Sequence, residues 1–355
     1  MRMVSPFRLA RPVPRSPGTV QNHEAERVGM NDKRCYDDIL DVIGNTPMVR
    51  LNRITEGLAC SVFAKLEFLN PMGSSKDRIA RYLIDKAEAD GRIHPGDLIL
   101  ENSSGNTAMG LALVAIQKGY RLKVVVRDRT SKEKLGQLEA LGVDVHKVDT
   151  TLPPEHPDSY NNITLRLAKE LPGCYFPDQH NNRENNEAHY RSTGPEIWEQ
   201  MDGRIDVFIA GMGTGGTVGG AGRYLKEQDP RVKVVAVDVE GSVFTEYFRT
   251  GRTGKPSPYL LEGLGDEFLI GCADFSVIDE MVQVSDHDAF HAARELARRE
   301  GLLVGGSSGG VICALRKVAQ DLGPNARVAI LFPDSASRYL STIFNDDWMK
   351  EKGLL

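Results

Sequence analysis

Lys76 closes the segment Asn70-Pro-Met-Gly-Ser-Ser-Lys76 and opens an amphipathic stretch expected to be helical over Asp77–Asp90. An ammonium group set against the positive end of a helix loses part of its preference for the charged form, which favours the neutral, nucleophilic amine. A solvated surface lysine is the ordinary alternative. Gly211-Met-Gly-Thr-Gly-Gly-Thr217 follows the apolar run Val207–Ala210 and precedes a helix expected over Val218–Glu227. Where its glycines leave no Cβ atoms in the way, backbone N–H groups of this turn can converge on an anion, and phosphate is the natural ligand. Gly211, Gly213 and Gly216 also satisfy G-x-G-x-x-G, with Asp238 at the end of the next strand, so a dinucleotide-binding oxidoreductase is open on this segment alone. Ser103-Ser-Gly-Asn-Thr107 supplies hydroxyls, an amide and backbone donors suited to a carboxylate; as an N-cap turn it would be equally at home. Gly305-Gly-Ser-Ser-Gly-Gly310, before another helix, offers an uncharged hydroxyl.

Each of these segments is weak by itself. Together they provide an amine for a Schiff base, a phosphate cup, a carboxylate cup and a neutral hydroxyl, which are the needs of pyridoxal phosphate acting on an amino acid. The elements that must position them alternate along the chain. Strands are expected at Leu122–Val126, Val143–Val148, Val207–Ala210, Val232–Val237 and Val328–Phe332. Helices are expected at Asp77–Asp90, Ala108–Lys118, Lys132–Leu141, Asn186–Met201, Val218–Glu227, Asp286–Glu300 and Gly310–Leu322. That order argues for an α/β fold with parallel sheets built from βαβ units.

The chain has 355 residues, enough for two lobes with a sizeable core. Lys+Arg 44 against Asp+Glu 49 excludes a globally basic nucleic-acid coat, and no apolar run reaches the length of a membrane span. Five dispersed cysteines, with no C-x-x-C among them, argue against a disulfide framework or a structural zinc site and fit a reducing cytoplasm. Residues 1–35 are acid-poor, with Arg2, Arg8, Arg11 and Arg15 before the first acid, Glu24. They read as a disordered extension, with an organellar transit peptide or a start at Met30 as alternatives. Pro153, Pro154 and Pro157 mark a connection near the middle of the chain.

From Tyr36 to Leu355 the chain resembles the fold type II pyridoxal-phosphate enzymes of the cystathionine β-synthase and cysteine synthase family. Ile43-Gly-Asn-Thr-Pro-Met-Val-Arg-Leu51 is similar to the family's opening segment. The resemblance implies that Lys76 is the Schiff-base lysine and that Gly213–Thr217 hold the phosphate. Asn106 would bond the ring hydroxyl, and Ser307 would face the pyridine nitrogen. Ser103, Ser104, Asn106, Thr107 and Gln179 would take the substrate carboxylate, with His180 and Gly263 also at the substrate. It further implies two lobes, a smaller mobile one at about 77–190 and a larger one from about 36–76 plus 191–355, and a homodimer.

Val239-Glu-Gly-Ser-Val243, Glu262-Gly-Leu-Gly265 and the tail Pro333-Asp-Ser…Phe344-Asn-Asp-Asp-Trp348 lean toward the cystathionine β-synthase branch. The implied reaction is β-replacement on serine or an activated serine by a thiol, serine and homocysteine giving cystathionine. Sulfide as nucleophile, giving cysteine, or an amine in a specialised pathway are the alternatives; an inactive scaffold paralogue is the non-enzymatic one. No haem is expected, because no early Cys and His pair has suitable spacing: His23 precedes Cys35 and the next histidine is His94. The chain departs from the family pattern at Ser103, Ala108, His180 and Asp266, which bear on the second substrate.

Overall fold

The computed structural model describes residues 35–149, 151–152 and 156–355; the Arg-rich start, Pro153 and Pro154 lie outside the described residues. In chain order the strands are β1 (Met48–Arg50), β2 (Ser61–Leu66), β3 (Leu98–Glu101), β4 (Arg121–Arg127), β5 (Asp144–Val148), β6 (Cys174–Tyr175), β7 (Val207–Gly211), β8 (Lys233–Val239), β9 (Glu280–Val284) and β10 (Arg327–Phe332). The helices are α1 (Lys76–Ala89), α2 (Asn106–Lys118), α3 (Lys132–Ala140), α4 (Tyr160–Glu170), α5 (Glu184–Arg191), α6 (Thr193–Gln200), α7 (Gly216–Gln228), α8 (Phe244–Thr250), α9 (Asp286–Glu300), α10 (Gly306–Val318) and α11 (Asp346–Glu351). One sheet has the order β1-β2-β10-β7-β8-β9 and the other β5-β4-β3-β6. β1 pairs antiparallel with β2, and the remaining neighbours run parallel.

Parallel sheets must be covered on both faces, so their strands are apolar on both. In β10, Val328, Ile330 and Phe332 face the core shared with α9 and α10, while Ala329 and Leu331 face the core shared with α7. In the second sheet Val124 and Val126 of β4 pack toward α1 and α2, and Val125 packs toward α4. Residues Asp37–Leu355 form one compact unit.

Each of the five expected strands coincides with an observed one, those expected from Val143 and Val232 starting one residue later, at Asp144 and Lys233. Two helix boundaries differ for identifiable reasons. The stretch expected as one helix over Asn186–Met201 is two, α5 and α6, broken at Ser192 (φ −129°, ψ −66°). Pro195 has no N–H and its ring would clash with a preceding carbonyl, so it is accommodated in the first turn of a new helix. The helix expected from Gly310 begins at Gly306 and gives way to a short 3-10 turn at Ala319–Asp321. Gly309 leaves no room for a side chain because α9 lies against it: a Cβ there would come 1.9 Å from the Ala289 carbonyl oxygen.

Candidate active site

The C-terminal ends of β7 and β10 open into a cavity lined by Lys76, Gly213, Thr214, Gly215, Thr217, Gly263, Ser307 and Pro333. Lys76 is the first residue of α1, and Gly216 and Gly306 are the first residues of α7 and α10. Three helices thus direct their positive ends at one place, which suits an anion. Asn106 opens a fourth, α2, at the same edge. Asn106 and Thr107, expected in the turn before this helix, are in its first turn.

Lys76 is set by the turn before it. Gly73 N–H donates to the Asn70 carbonyl, the Met72 amide donates to Asp77, and the Lys76 amide donates to Ser74 Oγ. Burial pushes the Lys76 ammonium below its usual range, against the opposing charges of Asp334 and Glu67. Behind it Glu67 is fully buried and bonds Arg78 through both oxygens, at 2.7 and 2.8 Å. Arg78 also grips Glu196 (2.6 and 2.7 Å), which pairs with buried Lys65 at 2.6 Å. Thr46 Oγ1 donates to Glu67, Asn45 N–H to Glu196 and Gly44 N–H to Asn70. The opening Gly44-Asn-Thr46 segment is therefore a clamp on the floor beneath the lysine. Burial acts to raise the Glu67 carboxyl, but the Arg78 and Lys65 charges hold it at about 2.

The glycine cup is shaped by protein neighbours as well as by any ligand. Gly215 has φ +82°, and a Cβ there would lie 2.8 Å from the Cys272 carbonyl oxygen and 2.9 Å from Ala273 Cα. A side chain at Gly215 would thus distort the cup before it met a phosphate. Asn185 Nδ2 bridges Thr214 Oγ1 (3.1 Å) and the Gln179 carbonyl (2.8 Å). Thr217 Oγ1 meets His189 Nε2 at 3.2 Å, and His189 Nδ1 meets Thr193 Oγ1 at 2.9 Å. Burial, with the nearby Lys76 charge, lowers His189 to about 3, so the ring under the cup is neutral.

Ser307 is 4% exposed in the first turn of α10, and Gly263 stands opposite it, a Cβ there reaching 3.9 Å from its hydroxyl. Ser103 is buried, its Oγ accepting from Gly105 N–H, and Ser104 is half-buried at the bend before α2. Thr107 Oγ1 donates to Gln179, which is also buried. These residues stand beside the cavity and are joined to it through Asn185 and through Asp334, which accepts from Asn106. His180 turns its Nδ1 to Asp266 at 3.4 Å. Burial opposes protonation of His180, but Asp266, Glu101 and Asp178 raise it above the ordinary histidine range. Two positions that depart from the family pattern are therefore in contact. Glu101, at the end of β3, is buried and pushed up to about 7 by that burial.

His189, Glu101, Asp334 and the Glu67–Arg78–Glu196–Lys65 network were not legible as site residues, because their partners are remote in sequence; the buried charge at Lys65 within an apolar run was the available signal. The structure does not support a dinucleotide site. Asp238 is fully buried and its Oδ2 accepts from the Thr245 amide (2.9 Å) and hydroxyl (2.6 Å), leaving it no role at a ribose. Among the described residues no group of three or more His, Cys, Asp or Glu could hold a metal ion. No helix among them is long and apolar enough to cross a membrane.

The donor set fits pyridoxal phosphate: a half-buried lysine lining the cavity together with a glycine cup at a helix start, and an Asn106 Oδ1 left without a partner at the start of α2. The family model for pyridoxal-phosphate dependent enzymes matches residues 39–334. The chain belongs to this family. Among curated pyridoxal-phosphate relatives it is 41% identical to the cystathionine beta-synthase of Rattus norvegicus, covering 98% of this chain and 61% of that protein. It is 37% identical to the cystathionine beta-synthase of Dictyostelium discoideum, covering 96% and 68%. The chain thus spans about three fifths of the rat relative's length. A crystal structure of a hydrogen sulfide-producing enzyme from Fusobacterium nucleatum matches with a TM-score of 0.79 and 33% identity, covering 87% of this chain and 99% of that one. The two-sheet fold is therefore the fold type II arrangement expected from the sequence.

Proposed function

We propose that the protein catalyses β-replacement on serine or an activated serine by a thiol, with serine plus homocysteine giving cystathionine as the leading reaction. The observation that carries this reading is Lys76, its pKa lowered by burial, in the same cavity as the Gly213–Thr217 cup and Ser307. Pyridoxal phosphate, when bound, supplies an electron-withdrawing ring that makes the α-proton of an amino acid acidic and its β-substituent labile. Lys76, biased toward its neutral amine, serves as general base for that proton. Gly213, Thr214, Gly215, Gly216 and Thr217 hold the phosphate, and Asn106 the ring hydroxyl. Ser307 offers a hydroxyl and no negative charge, so it does not hold a ring nitrogen protonated. That choice favours loss of the β-substituent over transamination. Ser103, Ser104, Asn106, Thr107 and Gln179 take the substrate carboxylate at the positive end of α2. His180 and Gly263 border the approach of the nucleophile.

The proposal extends to closure of the part at about 77–190 over the rest, which would exclude water during the reaction, and to a homodimer without haem. A cytoplasmic location is supported by the five free cysteines among the described residues. A second reading has sulfide as the nucleophile, in a chain whose likeness extends to an enzyme that has hydrogen sulfide as its product. A steady-state assay pairing serine, O-acetylserine and O-phosphoserine with homocysteine, sulfide and amines tests both. The expected result is the highest kcat/KM for serine with homocysteine. No turnover with any pair, cofactor retained, would point to the inactive scaffold instead.

A further inference from the structure

Helix α5 lies behind the glycine cup, and three glycines of α7 let it come close. A Cβ would stand 1.9 Å from Asn185 Oδ1 on Gly216, 2.6 Å from Asn186 Nδ2 on Gly219 and 2.1 Å from the Asn186 carbonyl oxygen on Gly220. Asn185 and His189 are one turn apart on α5, on the same face, and each is 1% exposed. Each meets the hydroxyl of a cup threonine that lines the cavity: Asn185 that of Thr214 at 3.1 Å, His189 that of Thr217 at 3.2 Å.

In both contacts the neighbours fix which side donates. The Gln179 carbonyl can only accept, so the Asn185 amide turns its nitrogen that way, and the same nitrogen meets Thr214 Oγ1. Gly216 N–H also points at that oxygen, at 3.5 Å. The Thr214 hydroxyl therefore accepts on its protein side, and its own proton is free for another partner. His189 is neutral, so one ring nitrogen carries a proton and the other accepts. Thr193 is fully buried, and among the described residues its hydroxyl has no partner besides His189 Nδ1, at 2.9 Å. Its proton goes to that nitrogen, since a buried donor left unpaired is costly. Nε2 is then the N–H and donates to Thr217 Oγ1, which again leaves the threonine proton free.

We propose that Asn185 and His189 are positioning residues of the phosphate site: they donate to the backs of Thr214 and Thr217, so that both hydroxyls are turned to donate to the cofactor phosphate. This rests on the reading of the Gly213–Thr217 cup given above. Thr193, which does not line the cavity, takes part by setting the ring's tautomer.

The tautomer is the direct readout. In 15N-histidine NMR of the holoenzyme, the ring signal lost in His189→Gln should be that of a neutral ring protonated on Nε2 and bare on Nδ1. Thr193→Val leaves the cup and α5 intact and removes the donor to Nδ1; a share of Nδ1-protonated ring should then appear. The second readout is the rate of cofactor release on dilution. His189→Leu, which cannot donate, should quicken release about fivefold, the worth of one hydrogen bond, and His189→Gln, whose amide can donate, should restore most of it. Because each residue acts through its threonine, His189→Leu should add nothing in a Thr217→Val background, nor Asn185→Ala in a Thr214→Val background. Wild-type His189 protonated on Nδ1, or on both nitrogens, would overturn the proposal, and so would full accelerations in the threonine-to-valine backgrounds. A wild-type protein that retains no cofactor would defeat the reading of the cup, and the proposal with it.

Discussion

His189, which meets Thr217 of the glycine cup, and Glu101, at the end of β3, respond to acid in opposite senses. His189 protonates near 6.5 when unfolded and only at about 3 in the native state. Between those values the unfolded chain binds the extra proton, so this histidine's contribution to stability is lost as pH falls from 6.5 toward 3. Glu101 and Asp77, each raised to about 7 by burial, bind protons first in the native state and contribute more as pH falls from 7 toward their ordinary range. Comparing wild type with His189→Gln isolates the first effect. The stability difference between them, from urea unfolding, should change by about 1.4 kcal/mol per pH unit below 6.5. Parallel curves would show that the ring is not held neutral. A second residue-scale test concerns Ser307. Ser307→Asp puts a carboxylate where the hydroxyl stands and should lower β-replacement at least about tenfold while raising half-transamination, because the negative charge favours a protonated ring nitrogen. Product analysis of single turnovers with serine distinguishes this from Ser307 serving only as a helix-start residue, in which case the product ratio would not move.

Among the elements, helices α9 and α10 show how a motif can be read correctly and still be explained incompletely. Gly305-Gly-Ser-Ser-Gly-Gly310 was legible as a turn presenting Ser307, yet Gly309 is dictated by packing against Ala289 and Ala293 of α9. Gly309→Ala would place a Cβ 1.9 Å from the Ala289 carbonyl oxygen and 2.7 Å from the Ala293 nitrogen. It should cost about 1–3 kcal/mol or more by forcing the helices apart, read as a lower thermal midpoint. Gly323→Ala, where nothing lies within 4 Å of the added Cβ, should stay within about 0.5 kcal/mol of wild type. Strands with long apolar runs, such as β4 and β10, were legible from sequence. β2 and β3 were not: Lys65 interrupts the first, and the second is only Leu98–Glu101. The buried lysine is tolerated because Glu196, Gln200 and the Thr46 carbonyl meet its ammonium, and none of these partners is near it in sequence.

Over the whole molecule, the Lys65–Glu196–Arg78–Glu67 network ties the Gly44-Asn-Thr46 segment, β2, α1 and α6 into one floor beneath Lys76. Lys76 and the glycine cup were legible because their chemistry is local, a turn and then a helix. The floor was not, because it exists only once the chain has folded. Arg78→Met should destabilise by about 3–5 kcal/mol, since it leaves fully buried Glu67 without its main partner and takes one of two cationic partners from half-buried Glu196. Adding Glu67→Gln should recover part of the loss, and denaturant midpoints of the single and double variants measure it. If Arg78→Met alone were near neutral, the network would not be what holds the lysine's turn. On the proposed function, this floor serves a lysine that carries pyridoxal phosphate. Borohydride reduction of the holoenzyme followed by peptide mapping tests it most directly: the reduced cofactor should be found on Lys76, and its recovery on any other lysine would contradict the account.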